Sequence, residues 1–252
     1  MTLESRMPHS PSRSTVAGRA GDAPARSSCF YGCCGAVGLI VLLTVAGLLF
    51  MGRPGAAGLL KENGPIEMMS AAGYVVAVVF FLIKFRRSAT ALWYFPLLML
   101  AMGLRELDFH VRFTTINMTK ARYFFTEGVP PGEKAVVAAV LLVLACAGVT
   151  MLVKEGRAFW TSLKQRQPAG VGVSLAIMLG VCSLVLDALP RKLLKWGIAV
   201  SDFPSFAISV LEEVVELGIP LMLLVTIAFV RAPIPKTAVD QAGDSQGQCV
   251  PR

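Results

Sequence analysis

The stretch SFAISVLEEVVELGIPLMLLVTIAFV, residues Ser205–Val230, decides the fold. It is long enough to cross a bilayer, since about 20 mostly apolar residues span roughly 30 Å of hydrocarbon. It also carries three carboxylates, Glu212, Glu213 and Glu216. The positions Ser209, Glu212, Glu213, Glu216 and Pro220 fall at i, i+3, i+4, i+7 and i+11, which is one face of a helix. At 1.5 Å rise per residue, Glu212 lies about 10 Å and Glu216 about 16 Å in from Ser205, so Glu216 reaches mid-membrane. A carboxylate at a helix centre costs about 2.5 to 3.5 kcal/mol, and three together need protonation, a basic partner or a cation. Pro220 lacks the N–H that would bond the Glu216 carbonyl, which leaves a free backbone acceptor on the acidic stripe.

Five further stretches are long and apolar enough to be helices of the same kind, because backbone polar groups in lipid must be satisfied within the helix. The six run from Gly35 to Met51, Pro65 to Phe85, Ala89 to Leu104, Ala135 to Val153, Ala169 to Leu189, and Ser205 to Val230. The fold class expected is an all-α polytopic membrane protein, a bundle of six transmembrane helices occupying residues 29–232. Residues 1–28, rich in Ser, Pro, Gly and Arg, read as a disordered tail, and 233–252 as a second flexible tail. The whole chain agrees: of 252 residues 55% are apolar and only 16% charged, which excludes a soluble enzyme. The net charge of +8 has no base-stacking motif beside it, so membrane lipids rather than nucleic acid are the expected partners.

Lys and Arg in the connections set the orientation. Arg6, Arg13, Arg19, Arg26, Lys84, Arg86, Arg87, Lys154, Arg157, Lys164, Arg166, Arg231, Lys236 and Arg252 share one side, 14 of the 24 basic residues. Both termini are therefore expected in the cytoplasm, and the bias toward Ala, Gly and Val suggests a bacterial inner membrane. With that orientation Glu62, Glu67, Glu106, Asp108, Asp187, Glu212, Glu213 and Glu216 gather toward the outer leaflet, half of the chain's 16 acids.

The candidate site follows from this gathering. Glu67, Ser70, Ala71 and Tyr74 form a polar face on the second helix, and Ser183 and Asp187 lie one turn apart on the fifth. The segment Arg105-Glu106-Leu107-Asp108-Phe109-His110 at the end of the third supplies carboxylates and an imidazole. Glu67, Glu106, Asp108, His110, Glu212 and Glu216 are the candidate metal ligands, with Glu67 and Glu216 the candidate catalytic carboxylates. Mixed carboxylate and imidazole ligands suit zinc, manganese or iron, and carboxylates with carbonyls suit calcium or magnesium, so the cofactor implied is a divalent cation. Three functions fit: a cation-dependent enzyme acting on a membrane lipid, a proton- or cation-coupled transporter, and a non-catalytic assembly protein. In the last, the acids pair with Arg105, Lys61 or Arg191 and hold helices together. Asp187 and Arg191 read as a surface ion pair. Gly172, Ala176 and Gly180 read as a seat for another helix of the same bundle. The loop Val111–Phe125, with Arg112, Lys120, Arg122 and its aromatic residues, reads as an interfacial segment. No HExxH, Walker loop, CxxC pair, G-x-S-x-G elbow or dinucleotide fingerprint occurs.

The runs Glu62-Asn63-Gly64-Pro65-Ile66-Glu67, Arg105-Glu106-Leu107-Asp108 and Leu211-Glu212-Glu213-Val214-Val215-Glu216-Leu217 resemble those of uncharacterised bacterial multi-pass membrane proteins with acids at helix ends. The resemblance runs from Gly35 to Val230 and implies a fold without an established activity. More remotely the chain resembles the alkaline ceramidase-like membrane hydrolases, which combine a Ser, an Asp and three His around an intramembrane zinc. Ser70, Asp108 and His110 are the positions that would correspond, and the closing H-x-x-x-H is absent.

The orientation is open to a direct check. A reporter active only in the cytoplasm should work when fused after Arg252, and one active only outside should work when inserted at Glu62; the reverse pattern would invert the bundle.

Overall fold

The computed structural model describes residues 22–60, 64–107, 121–126, 128–198 and 201–230. These form six long helices: α1 (Asp22–Ala56), α2 (Pro65–Lys84), α3 (Tyr94–Glu106), α4 (Pro131–Lys164), α5 (Pro168–Lys195) and α6 (Asp202–Phe229). A short 3-10 turn, Ala121–Phe125, precedes α4, and no strand occurs among the described residues. Three of the helices open on proline, Pro65, Pro131 and Pro168, where the missing N–H costs nothing. Lys84, Arg105, Lys164, Lys192 and Lys195 stand in last turns, facing the negative end of the helix dipole.

Each expected helix is present, with shifted ends. The first begins at Asp22, inside the segment expected to be a disordered tail, where an acid and Pro24 suit a first turn. Its regular path ends at Gly52, whose φ of 67° only glycine adopts readily, so the break falls beside the expected boundary at Met51. The fourth runs on to Lys164, past the apolar stretch. The third starts five residues late, because residues 85–93 form successive turns. The rest of both tails, with Asp108, His110 and most of the expected interfacial loop, lies outside the described residues.

Four helical segments are long and apolar enough to cross a membrane: Ser27–Ala56, Pro65–Lys84, Pro131–Lys164 and Pro168–Lys195. The third helix is too short for that by itself, and α6 carries three carboxylates within its apolar length. The surface is inside out relative to a soluble protein: Leu142, Val149, Leu152 and Val153 of α4 are exposed, as are Leu42 and Leu43 of α1 and Val181, Leu184 and Val185 of α5.

The helices alternate in direction. At one end, here called the base, the Phe30 ring of α1 meets Phe229 of α6 edge-on at 5.6 Å. There Lys84 Nζ donates to the carbonyls of Ile227 and Ala228, each at 2.6 Å. The Tyr31 hydroxyl donates to the Arg166 carbonyl at 3.0 Å, and the Tyr94 hydroxyl to Glu155 at 2.6 Å. At the opposite end, the head, Arg53 pairs with Asp202 at 3.5 Å. The Tyr123 hydroxyl donates to Glu133 at 2.8 Å and ties the α3–α4 connection to α4. Burial, then this hydrogen bond and the Glu133 charge, push the Tyr123 phenol up to about 12.

Packing places α6 at the hub. It touches α1, α2 and α5, while α2 packs on α3, α3 on α4 and α4 on α5. The last five helices thus close a ring, with α1 lying outside it against α6. Three apolar layers fill the interior, built around Val210 and Val214 toward the head, Ala176, Ile219 and Met222 in the middle, and Phe81, Phe85 and Ile227 at the base. The small-residue stripe of α5 serves this packing. A Cβ at Gly172 would lie 2.1 Å from Thr226 Oγ1 and 3.0 Å from Thr226 Cβ, so only glycine permits the approach of α5 to α6.

Gly172→Ala should therefore lower stability by about 1–3 kcal/mol through overpacking, and Thr226→Ala in the same chain should restore part of it. Thermal unfolding of the single and double variants in detergent measures both; additive losses would count against the contact.

Candidate functional site

The head half of the ring gathers polar side chains from three helices onto Glu216, which stands near the middle of α6. Arg105 Nη2 at the end of α3 lies 3.6 Å from Glu216 Oε1. The Ser183 hydroxyl of α5 donates to the same oxygen at 2.6 Å. The Glu106 carboxyl, buried at 7% exposure, is within hydrogen-bonding reach of the Glu216 carboxyl. From α2, the buried Ser70 hydroxyl donates to the Glu216 main-chain carbonyl at 3.4 Å. That carbonyl is the one Pro220 leaves without its helical N–H, so the acceptor expected from the sequence is used by a neighbouring helix. Gly73 makes room for the arrangement: a Cβ there would lie 3.0 Å from Pro220 Cβ.

Around this centre the other acids form an incomplete shell. The charged neighbours of Glu213 are Glu216, Glu67 and Glu212. Those of Glu212 are Asp187 and Glu216 together with Arg191 and Arg105. Asp187 is engaged by Arg191 one turn on, the surface ion pair expected from the sequence. The stripe of α6 runs as expected from solvent to interior: Ser209 is exposed and bonds back to the Ser205 carbonyl, whereas the Glu216 side chain is only 16% exposed.

Tyr74 completes the site. It is 1% exposed, its charged neighbours are Glu106, Glu216 and Arg105, and its hydroxyl has no hydrogen-bond partner among the described residues. Its ring walls a cavity of about 230 Å³ between α2 and α3, lined otherwise by apolar side chains including Met68, Val75, Leu100 and Leu107. Toward the base the site is closed by the apolar layer of Ala77, Phe81, Phe85, Met99 and Ile227.

The structure brings Glu106 and Glu216 together, sets Glu212 and Glu213 beside them, and leaves Glu67 at the rim next to Glu213. Asp108 and His110 lie outside the described residues. Among the described residues no three His, Cys, Asp or Glu are arranged to hold a metal ion. Beside Glu216 stands the Arg105 guanidinium. Among the described residues Cys29, Cys33, Cys34, Cys146 and Cys182 are free thiols. Ser183, noted in the sequence beside Asp187, turns to Glu216 instead, since it continues the Gly172-Ala176-Gly180 stripe that faces α6.

No protein-family model, curated protein or solved structure matches the chain.

The Arg105–Glu216 pair can be tested by a cycle. Breaking a fully buried ion pair costs about 3–5 kcal/mol, but the Arg105 side chain is 45% exposed and screening reduces the expected loss for Arg105→Leu to about 1–2 kcal/mol. Adding Glu216→Gln should recover most of it, since the carboxylate left alone is then gone; no recovery in chemical unfolding would deny the pairing.

Proposed function

We propose that this chain is a multi-pass integral membrane protein of six spanning helices, with both termini cytoplasmic, whose head-end acidic cluster binds a cation in proton- or cation-coupled transport. The head then faces outward. Three of the six helices begin and end at each end, and exposed aromatic side chains flank the apolar surface on both sides: Trp93 and Trp160 near the base, Trp196 and Phe203 near the head. Such rings suit headgroup level. The third helix and α6, too short or too acidic for lipid contact over their whole length, are sheltered by their neighbours in the ring.

One observation carries the functional reading. Around Glu216 stand Glu106, Glu213 and Glu212, with Glu67 at the rim, against Arg105 as the nearest base and Arg191 already engaged by Asp187. Among the described residues the carboxylates around Glu216, namely Glu106, Glu212 and Glu213, outnumber the basic groups in a low-dielectric interior, which supports a site that accepts further positive charge, a proton or a cation. Apolar layers lie on both sides of it, around Val210 and Val214 toward the head and around Phe81, Phe85 and Ile227 toward the base. The titratable and charged groups facing the site are Glu67 and Tyr74 from α2, Arg105 and Glu106 from α3, Asp187 and Arg191 from α5, and Glu212, Glu213 and Glu216 from α6.

A second reading, an enzyme acting on a membrane lipid, is favoured by the apolar cavity beside the cluster. In that case the divalent cation would need Asp108 and His110 to complete a ligand set with Glu106 and Glu216, and elemental analysis of the purified protein separates the two.

Proteoliposomes adsorbed to a solid-supported electrode should give a transient charge displacement on a pH jump at the head side, and Glu216→Gln should reduce it at least fivefold. Equal signals from wild type and variant would remove Glu216 from any coupling role.

A further inference from the structure

The base of the bundle carries charge that its packing leaves unused. Lys84 is engaged by the last carbonyls of α6. Arg86 and Arg87, in the turns after α2, and Lys154 and Arg157, in the polar last part of α4, are exposed and have no acidic partner among the described residues. The acid beside them, Glu155, already accepts from the Tyr94 hydroxyl at 2.6 Å. The head differs, since Arg53, Arg105 and Arg191 each stand next to a carboxylate there.

The two pairs of cations flank the start of α3. Phe81 lies 4.7 Å from Phe85 and 5.7 Å from Phe95, ring to ring, which holds the turns that carry Arg86 and Arg87 against α3. On the other flank Tyr94 is bonded to Glu155, and Lys154 Nζ stands 5.9 Å from the centre of the Tyr94 ring. This level is also the edge of the apolar outer surface. Leu82 and Ile83 come one turn before the arginines, and Leu152 and Val153 come directly before Lys154, all four of them exposed. Trp93 and Trp160, exposed as well, stand at the same end.

We propose that this surface docks anionic phospholipids of the base leaflet, with the headgroup phosphate at Arg86, Arg87, Lys154 and Arg157 and the acyl chains along the exposed faces of α2 and α4. The proposal goes beyond the transport reading and shares with it only the membrane placement. Charge complementarity selects the partner: unpaired cations at the membrane edge attract lipids of net negative charge, whereas a zwitterionic headgroup brings its own cation. The arginines also suit phosphate by their bidentate donors. A free phosphate or an acidic peptide would meet the same charges and leave the adjoining apolar side chains without a partner.

The test is tryptophan quenching in reconstituted vesicles of zwitterionic lipid. The full chain has three tryptophans, so Trp196→Phe leaves the two at the base as reporters, and Trp93→Phe with Trp160→Phe leaves the one at the head. Each protein is mixed with an equal fraction of phosphatidylglycerol or phosphatidylcholine brominated near the headgroup. At the base, the brominated phosphatidylglycerol should quench as if at least threefold more concentrated than the phosphatidylcholine. That ratio should fall close to unity in about 1 M salt, where the screening length is about 3 Å. At the head the ratio should be close to unity throughout. In the base reporter, Arg86→Gln with Arg87→Gln, and separately Lys154→Gln with Arg157→Gln, should each lower the ratio at least by half of its excess. Lys192→Gln with Lys195→Gln, which removes as much charge from exposed positions at the head, should leave it unchanged. Equal quenching by the two lipids at the base, an equal preference at the head, insensitivity to both base substitutions, or relief of quenching by inorganic phosphate would each overturn the assignment. None of these touches the Glu216-dependent charge displacement, which concerns the opposite half of the bundle. If neither brominated lipid quenches any tryptophan, the membrane placement falls, and the transport reading with it.

Discussion

A carboxylate in the middle of an otherwise apolar helix is the constraint to which the rest of this bundle answers. Glu216 cannot be left to hydrocarbon, and the helices around it are placed so that it is not: α3 brings Arg105, α5 brings Ser183, and α2 brings Ser70 to the carbonyl that Pro220 exposes. These contacts fix the rotation of three helices about their own axes. The close seats at Gly73 and Gly172 then become possible, because α2 and α5 can approach α6 only where the polar groups also meet. Apolar layers above and below supply bulk, but they are tolerant of sliding; the polar level sets the register.

The same level divides the interior into unlike halves. Toward the head, charge is in excess and partly open to solvent; toward the base, aromatic and aliphatic side chains close the ring, with Phe81 stacked between Phe85 and Phe95 at 4.7 and 5.7 Å. Lys84, at the base, is used otherwise: its ammonium closes the last carbonyls of α6, a structural role that neutralises a helix end.

Much of this was legible in the sequence because hydrophobic length and helical periodicity act locally. The number of helices, their alternation, the acidic stripe of α6, the free carbonyl opposite Pro220 and the packing use of Gly172-Ala176-Gly180 all follow from spacing along one chain segment. What could not be read there is which side chains from different helices meet. Of the candidate ligands Glu67, Glu106, Asp108, His110, Glu212 and Glu216, the acids of the described residues lie near one another with Arg105 beside Glu216, while Asp108 and His110 lie outside the described residues. Residues 105 and 106 are adjacent in sequence, and no periodicity tells that both turn inward at the frayed end of a short helix. The unpaired hydroxyl of Tyr74 is likewise a property of three helices at once. Helix ends were misplaced where apolar length and helical length differ, as in the polar last turns of α4.

The seating of α1 has a consequence for how the chain is made. Its main partner is α6, and the contact of Phe30 with Phe229 joins nearly the first and nearly the last described residues of the protein. During synthesis α1 finds only a minor partner in α5, and its main contact must wait until α6 has been made. The ring too closes only when α6 arrives beside α2 and α5. Assembly of the bundle thus waits on the helix that carries the three carboxylates, the keystone that meets Arg105, Ser70 and Ser183.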